Sequence, residues 1–176
     1  VMGHDSDICV GYREADATSI QEFGVRLASQ DPERFEGLCS EDGCGALSDS
    51  IWQDVQRSAE SAYDRSAACE FTSFVGYEWS GATNVVNLHR NVIFASAVVP
   101  AAPLSYFEEP TPDGLWEWMR EACIETASGC DVLAIPHNSN LSNGQLFPAE
   151  VDPQAAEDRA ELEPLVEIYQ HKGSSE

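Results

Sequence analysis

The chain has 176 residues, enough for one domain with its own hydrophobic core but too few for a complete eight-stranded α/β barrel, which takes about 250. Apolar residues make up 43%, and no apolar run approaches the ~20 residues that span a bilayer, so a globular domain without membrane insertion is expected. A net charge of -22, from 31 acidic against 9 basic residues, repels phosphate backbones and argues against nucleic-acid binding. The acid excess itself reads as a solvated surface suited to salt and locates no metal site.

In chain order, residues 1–16 show no periodicity and read as irregular. Ile20, Phe23 and Leu27, spaced by three and four, predict a helix over Thr18–Ser29 that the Asp31-Pro32 pair ends. An acidic, cysteine-containing loop follows to Leu47. Ser48 is a suitable N-cap for a second helix, whose apolar stripe is Ile51, Val55, Ala59, Ala62 and Tyr63. The β-branched and aromatic runs Glu70–Ser80 and Asn87–Val99, separated by Gly81-Ala82-Thr83-Asn84, predict two strands joined by a turn. Thr111-Pro112 opens a helix that buries Leu115, Trp118, Met119 and Ala122. Asp131–Pro136 is a short apolar run of the kind used by buried parallel strands. Asp152-Pro153 then opens a short acidic helix, and Leu165–Gln170 predicts a last strand. Helices alternating with buried strands give an α/β fold class in a single domain over residues 1–176.

Six cysteines, none in a Cys-x-x-Cys pair, argue against a zinc ribbon or a thioredoxin-type motif and for disulfides. Cys39 and Cys44 bracket a polar turn, Cys123 and Cys130 bracket a helix end at Gly129, and Cys9 and Cys69 remain to pair. The even count points to an oxidising compartment, so a secreted or periplasmic location is expected; buried thiols in a reducing one are the alternative. Val1 starts no signal peptide, as expected of a chain that begins internally or after processing.

Candidate chemistry gathers around the histidines, His4, His89, His137 and His171. His137 directly follows the apolar run 131–136 and precedes Asn138-Ser139-Asn140. Strand ends of α/β folds position site residues, and an imidazole beside hydrogen-bonding amides is a good ligand for a borderline metal; a simple turn hydrogen bond is the plainer alternative. Glu78 lies in Phe74-Val75-Gly76-Tyr77-Glu78-Trp79, a segment too apolar to leave exposed, and a buried carboxylate needs a cation. That cation is either a metal ion, with Gly76 on the same face leaving room, or an arginine, most obviously Arg90. Alternation places Asn87, His89 and Asn91 on one strand face and Leu88, Arg90 and Val92 on the other. Arg90 either pairs with Glu78 or clamps a phosphate. Glu167, Tyr169 and His171 share a face of the last strand, Glu167 being a further ligand, a residue that orients one, or a solvated side chain. The sequence contains no Gly-x-Ser-x-Gly elbow and no phosphate-binding glycine loop.

Four strings, FTSFVGYEWSG, NLHRNVIF, DVLAIPHNSNLSNG and PLVEIYQHKGSSE, resemble in order the signature segments of a bacterial family catalogued as domain of unknown function 3604. Its members are similar to the PHP (polymerase and histidinol phosphatase) superfamily. The likeness runs from Ala46 to the end of the chain, leaving residues 1–45 divergent. It implies part of a distorted PHP-type barrel of seven β/α units, whose Gly-x-Glu strand, histidine strand and histidine-ended strand match Gly76-Tyr77-Glu78, His89 and His137. These three are the implied ligands of divalent zinc, manganese or iron. Arg90 is the implied catalytic phosphate clamp, and Asn138, Glu167 and His171 are supporting residues or further ligands. The superfamily's opening His-x-His and closing Asp-x-His motifs are missing, so the remainder of a longer polypeptide is expected to complete the site. The expected activity is metal-dependent hydrolysis of a small phosphorylated substrate. Competing expectations are hydrolysis of another bond, and a secreted, disulfide-stapled binding or assembly protein that keeps the scaffold without catalysis.

Overall fold

A computed structural model describes residues 7–29, 32, 43–149 and 152–174, with residues 43 and 44 by backbone only. A short helix, α1 (Asp7–Arg13), comes first, in a stretch whose sequence reads as irregular because seven residues are too few for a period to show. The next helix, α2 (Ala17–Leu27), follows the predicted span closely. Asp16 caps it by accepting a hydrogen bond from the Ser19 N–H at 2.8 Å, and that bond holds the Asp16 carboxyl below the usual carboxylate range. The rings of Tyr12 and Phe23, 5.1 Å apart, join the two helices.

The long helix α3 (Gly43–Ala62) starts ahead of the expected cap, so Ser48 sits inside it. Its buried face is also rotated from the expected stripe. Trp52 and Ala59 are buried, with Val55 packed beside them, whereas Ile51 is exposed. Trp52 takes that place because its indole N–H donates to the Pro100 carbonyl at 2.9 Å while its ring meets Tyr77 and Phe94 edge-on.

Three strands, β1 (Val75–Trp79), β2 (Arg90–Phe94) and β3 (Val132–Pro136), form an antiparallel sheet in that order. Trp79 pairs with Arg90 and Arg90 with Pro136, which places Val75, Trp79, Arg90, Val92, Phe94, Val132 and Ala134 on one face. That face packs on Trp52 of α3, on Leu115, Trp116 and Met119 of α4 (Pro112–Met119), and on Leu162 of α5 (Pro153–Leu162). The expectation of a parallel strand at residues 131–136 is corrected. The run is continuously apolar because Leu133 and Ile135 are half-buried on the sheet's other face, and its partner is antiparallel. Among the described residues the strands close no barrel; the fold is mixed α/β, with helices and small antiparallel sheets.

Helices α4 and α5 begin at their predicted caps, Thr111 and Asp152. Trp116 is the fully buried tryptophan of α4, while Trp118 is only partly covered. A wide π-type turn, Arg120–Ile124, extends α4 and carries Cys123 into a disulfide with Cys130. The expected Cys9–Cys69 pair is not formed: Cys9 is a buried free thiol and Cys69 an exposed one. The Cys39–Cys44 pair lies outside the described residues. The strand expected at Leu165–Gln170 shrinks to β4 (Tyr169–Gln170), a two-residue hairpin partner of β5 (Gly173–Ser174), and Leu165, Val166 and Ile168 are exposed.

Arg90 is only 1% exposed and stands in the apolar core. Its Nε–H donates to Glu163 Oε1 at 2.5 Å, its Nη1–H donates to the Leu88 carbonyl, and its guanidinium lies 5.7 Å from the Trp79 ring centre. The Trp116 indole N–H donates to the same Glu163 oxygen at 2.9 Å. Burial pushes the Arg90 guanidinium down from its ordinary value, and Glu163 opposes that shift. Removing one partner of a buried pair strands the other charge, at a cost of about 3–5 kcal/mol. Glu163→Ala is therefore expected to lower unfolding stability in urea by that amount, and a loss below about 1 kcal/mol would show that Arg90 needs no carboxylate.

Candidate metal centre

The alternation that buries Arg90 sends its neighbours to the opposite face. Glu78, in β1, pairs with Asn91 in β2. His89, immediately before β2, shares the Asn91 face, and His137, immediately after β3, is the next residue on that face beyond Ile135. One end of the sheet thus collects all three side chains from positions far apart in the chain. Gly81 lets the β1–β2 connection turn back over Trp79, since a Cβ there would lie 2.3 Å from that ring. Two backbone bonds then fix the return of the chain, Leu88 N–H to the Gly81 carbonyl at 2.7 Å and Asn87 N–H to the Leu141 carbonyl at 3.0 Å. Gly76 and Glu78 line one open cavity, in keeping with the expected room beside the carboxylate, and the glycine has a further role. A Cβ at 76 would stand 2.8 Å from the Val92 carbonyl oxygen, so the glycine permits close approach of β1 to β2.

Glu78 Oε1 lies 3.0 Å from His137 Nε2 and 3.2 Å from His89 Nδ1. One ligand atom from each of the three residues falls within 4.8 Å of the others. Ligand atoms around a tetrahedral ion with bonds near 2.1 Å stand about 3.4 Å apart, so the two carboxylate–imidazole separations are close to those of a formed site. The Ser80 hydroxyl donates to the second oxygen, Oε2, at 3.1 Å. Side-chain exposure falls from 45% at Glu78 through 23% at His89 to 8% at His137, which gives the group an open rim and a buried floor. The hydrogen bond with His137, then that with His89, holds the Glu78 carboxyl far below the usual carboxylate range against a smaller opposing effect of burial.

His137 carries the strongest chemical indication. Its Nδ1 lies 3.3 Å from the Ile135 carbonyl oxygen while its Nε2 faces Glu78. A neutral imidazole has one N–H, so one nitrogen necessarily turns a lone pair toward an oxygen. With the proton on Nδ1, donated to the carbonyl, the Nε2 lone pair and the carboxylate converge on one point, where either a second proton or a cation relieves the repulsion. A ring N–H on a backbone carbonyl is the usual support of a metal-bound histidine.

The remaining sequence candidates divide. Asn138 is 2% exposed and its Nδ2 has no hydrogen-bond partner among the described residues. Glu167 is half-buried, and its backbone N–H donates to the Pro136 carbonyl at 3.0 Å, beside His137. His171 is exposed in the turn between β4 and β5. His4 lies outside the described residues. Arg90 is a correction: it faces the core and pairs with Glu163, so it neither compensates Glu78 nor reaches a phosphate there. Three residues were not singled out for this site from the sequence. Ser80, two positions from Glu78, could have been found by strand phase; Gln170, whose Nε2–H donates to the His137 carbonyl at 2.9 Å, offers no local signal. Lys172 is half-buried and feels both Glu167 and Glu78, whose attraction opposes the downward push of burial.

A carboxyl group depressed on folding contributes stability that is complete above its unfolded value, 4.5, and declines as pH falls below it. In the metal-free protein, Glu78→Gln is expected to flatten the loss of stability between about pH 5 and pH 3. Urea unfolding at both pH values checks this, and an acid limb as steep as that of the wild type would show that the two histidines do not hold the carboxylate.

No curated protein and no solved structure matches the chain. A family model does match, and it extends upstream of the segment in which the four sequence strings fall. It bears the description Protein of unknown function (DUF3604) and covers residues 11–176, so the chain belongs to the DUF3604 family.

Proposed function

We propose that this chain carries the metal-binding part of a hydrolase of PHP type, a phosphoesterase that needs the rest of a longer polypeptide to complete its site. The observation that carries the reading is the convergence of Glu78, His89 and His137, with the far nitrogen of His137 turned to a backbone carbonyl. A mixed imidazole and carboxylate shell suits zinc, manganese or iron better than calcium. Three protein ligands leave coordination positions for water and substrate.

A divalent ion held there supplies Lewis acidity toward a phosphoryl oxygen and an attacking water. The chain's own residues do the positioning. The Ile135 carbonyl fixes the tilt of the His137 ring, and the Ser80 hydroxyl orients the outer oxygen of Glu78. The rim on the Glu78 side leaves the substrate a direct approach, while the buried His137 forms the floor. The Cys123–Cys130 disulfide supports a periplasmic or secreted setting. It also supports the competing reading of a stapled binding or assembly protein, but the free thiols of Cys9 and Cys69 leave that scaffold less stapled than expected.

Titration with zinc or manganese is expected to show binding that Glu78→Gln, His89→Ala or His137→Ala each weakens by at least about 100-fold, the upper end of what losing a mere supporting residue costs. Hydrolysis of a phosphomonoester or diester by the longer polypeptide that completes the site should disappear on chelation and return with the ion. A folded protein that takes up neither metal overturns the proposal; one that binds metal and cleaves no phosphoester leaves the binding-protein and other-bond readings standing in its place.

A further inference from the structure

We propose that Lys172 is the anion anchor of this centre, a positioning cation that receives one oxygen of a phosphoryl-type oxyanion whose other oxygens face the metal position; the inference rests on the metal reading above. The β4–β5 hairpin is pinned to the end of β3 that bears His137. The Glu167 N–H donates to the Pro136 carbonyl at 3.0 Å and the Gln170 side chain to the His137 carbonyl at 2.9 Å. On its far side the hairpin adjoins the turn after His137, where a Cβ at Gly173 would meet the Asn140 amide at 3.9 Å. Lys172 lies in the turn of this hairpin, half-buried and within the fields of Glu78 and Glu167. It is the only lysine in the chain, and no hydrogen bond or close ion pair engages its ammonium group among the described residues.

The arginines of α3, the segment after α3, the turn that extends α4, β2 and α5 are committed elsewhere. Arg57 pairs with Asp54, Arg65 with Glu60, Arg120 with Asp158 and Glu161, and Arg90 and Arg159 with Glu163. An oxyanion approaching a chain of net charge -22 needs local positive charge. A divalent ion set against Glu78 and Glu167 only reaches neutrality. Lys172 makes the local balance positive, and its flexible ammonium can follow an oxyanion that the metal position orients.

The test uses the full 176-residue chain with Mn2+ as the ion and inorganic phosphate as the probe. Electron paramagnetic resonance of free Mn2+ gives metal affinity, and paramagnetic broadening of the 31P resonance gives phosphate binding at the loaded centre. Lys172→Met is expected to weaken phosphate binding roughly tenfold, the effect of one charge-assisted hydrogen bond, with Mn2+ affinity unchanged or raised. Lys172→Arg, which keeps the charge, should recover most of the loss. Equal phosphate affinity in wild type and Lys172→Met overturns the anchor and leaves the metal reading intact. A parallel loss of Mn2+ and phosphate binding in Lys172→Met also overturns it, by marking the lysine as structural. If the wild-type chain binds no Mn2+ or other divalent ion, the metal reading itself fails.

Discussion

Burying a guanidinium in an apolar core is tolerable only when a carboxylate and further hydrogen-bond acceptors meet it, and Arg90 has Glu163 and the Leu88 carbonyl. That requirement fixes more than a local contact. Side chains alternate along a strand, so anchoring Arg90 on the core face commits His89 and Asn91 to the other face. A slip of one residue would bury His89 among Trp79, Trp116 and Leu162 and turn Arg90 toward Glu78. The buried pair therefore acts as the register key of β2, and the group formed by Glu78, His89 and His137 depends on it without touching it.

The same economy holds at the end of β3. Asn87 bonds to Leu141, Glu167 to Pro136 and Gln170 to the His137 carbonyl, so two distant segments grip the few residues around His137 with three bonds. The disulfide at Cys130 restrains the chain just before β3 begins. A histidine held this way at one edge of a group, with a more exposed glutamate at the other, combines a fixed ligand with one that can adjust to what binds.

Features governed by near neighbours were legible in the sequence. The caps at Thr111 and Asp152 need only the next few residues, and the facing of Glu78 and His89 follows from strand alternation alone. Features set by distant partners were not. Arg90 looked available to Glu78 because its true partner, Glu163, belongs to a helix end 73 residues away. The apolar run before His137 implied parallel neighbours because periodicity records burial on two faces and carries no information about strand direction. Trp52 displaced Ile51 from the buried face of α3 because its indole has a specific acceptor in Pro100, which a hydrophobic stripe does not reveal. The six-residue strand expected at the end of the chain fell to two residues because a strand needs a neighbour along its length, and only the hairpin end has one.

That last segment has a colloidal consequence. Leu165, Val166, Ile168 and Tyr169 stand exposed in near-succession, the composition of a strand that invites edge-to-edge pairing between molecules. What opposes such pairing is the net charge of -22, a repulsion that reaches about 10 Å at 0.1 M salt and about 3 Å at 1 M. Ionic strength is thus the variable that sets how closely two copies approach, and the acidity of the surface serves as the guard on an apolar segment that stands bare among the described residues.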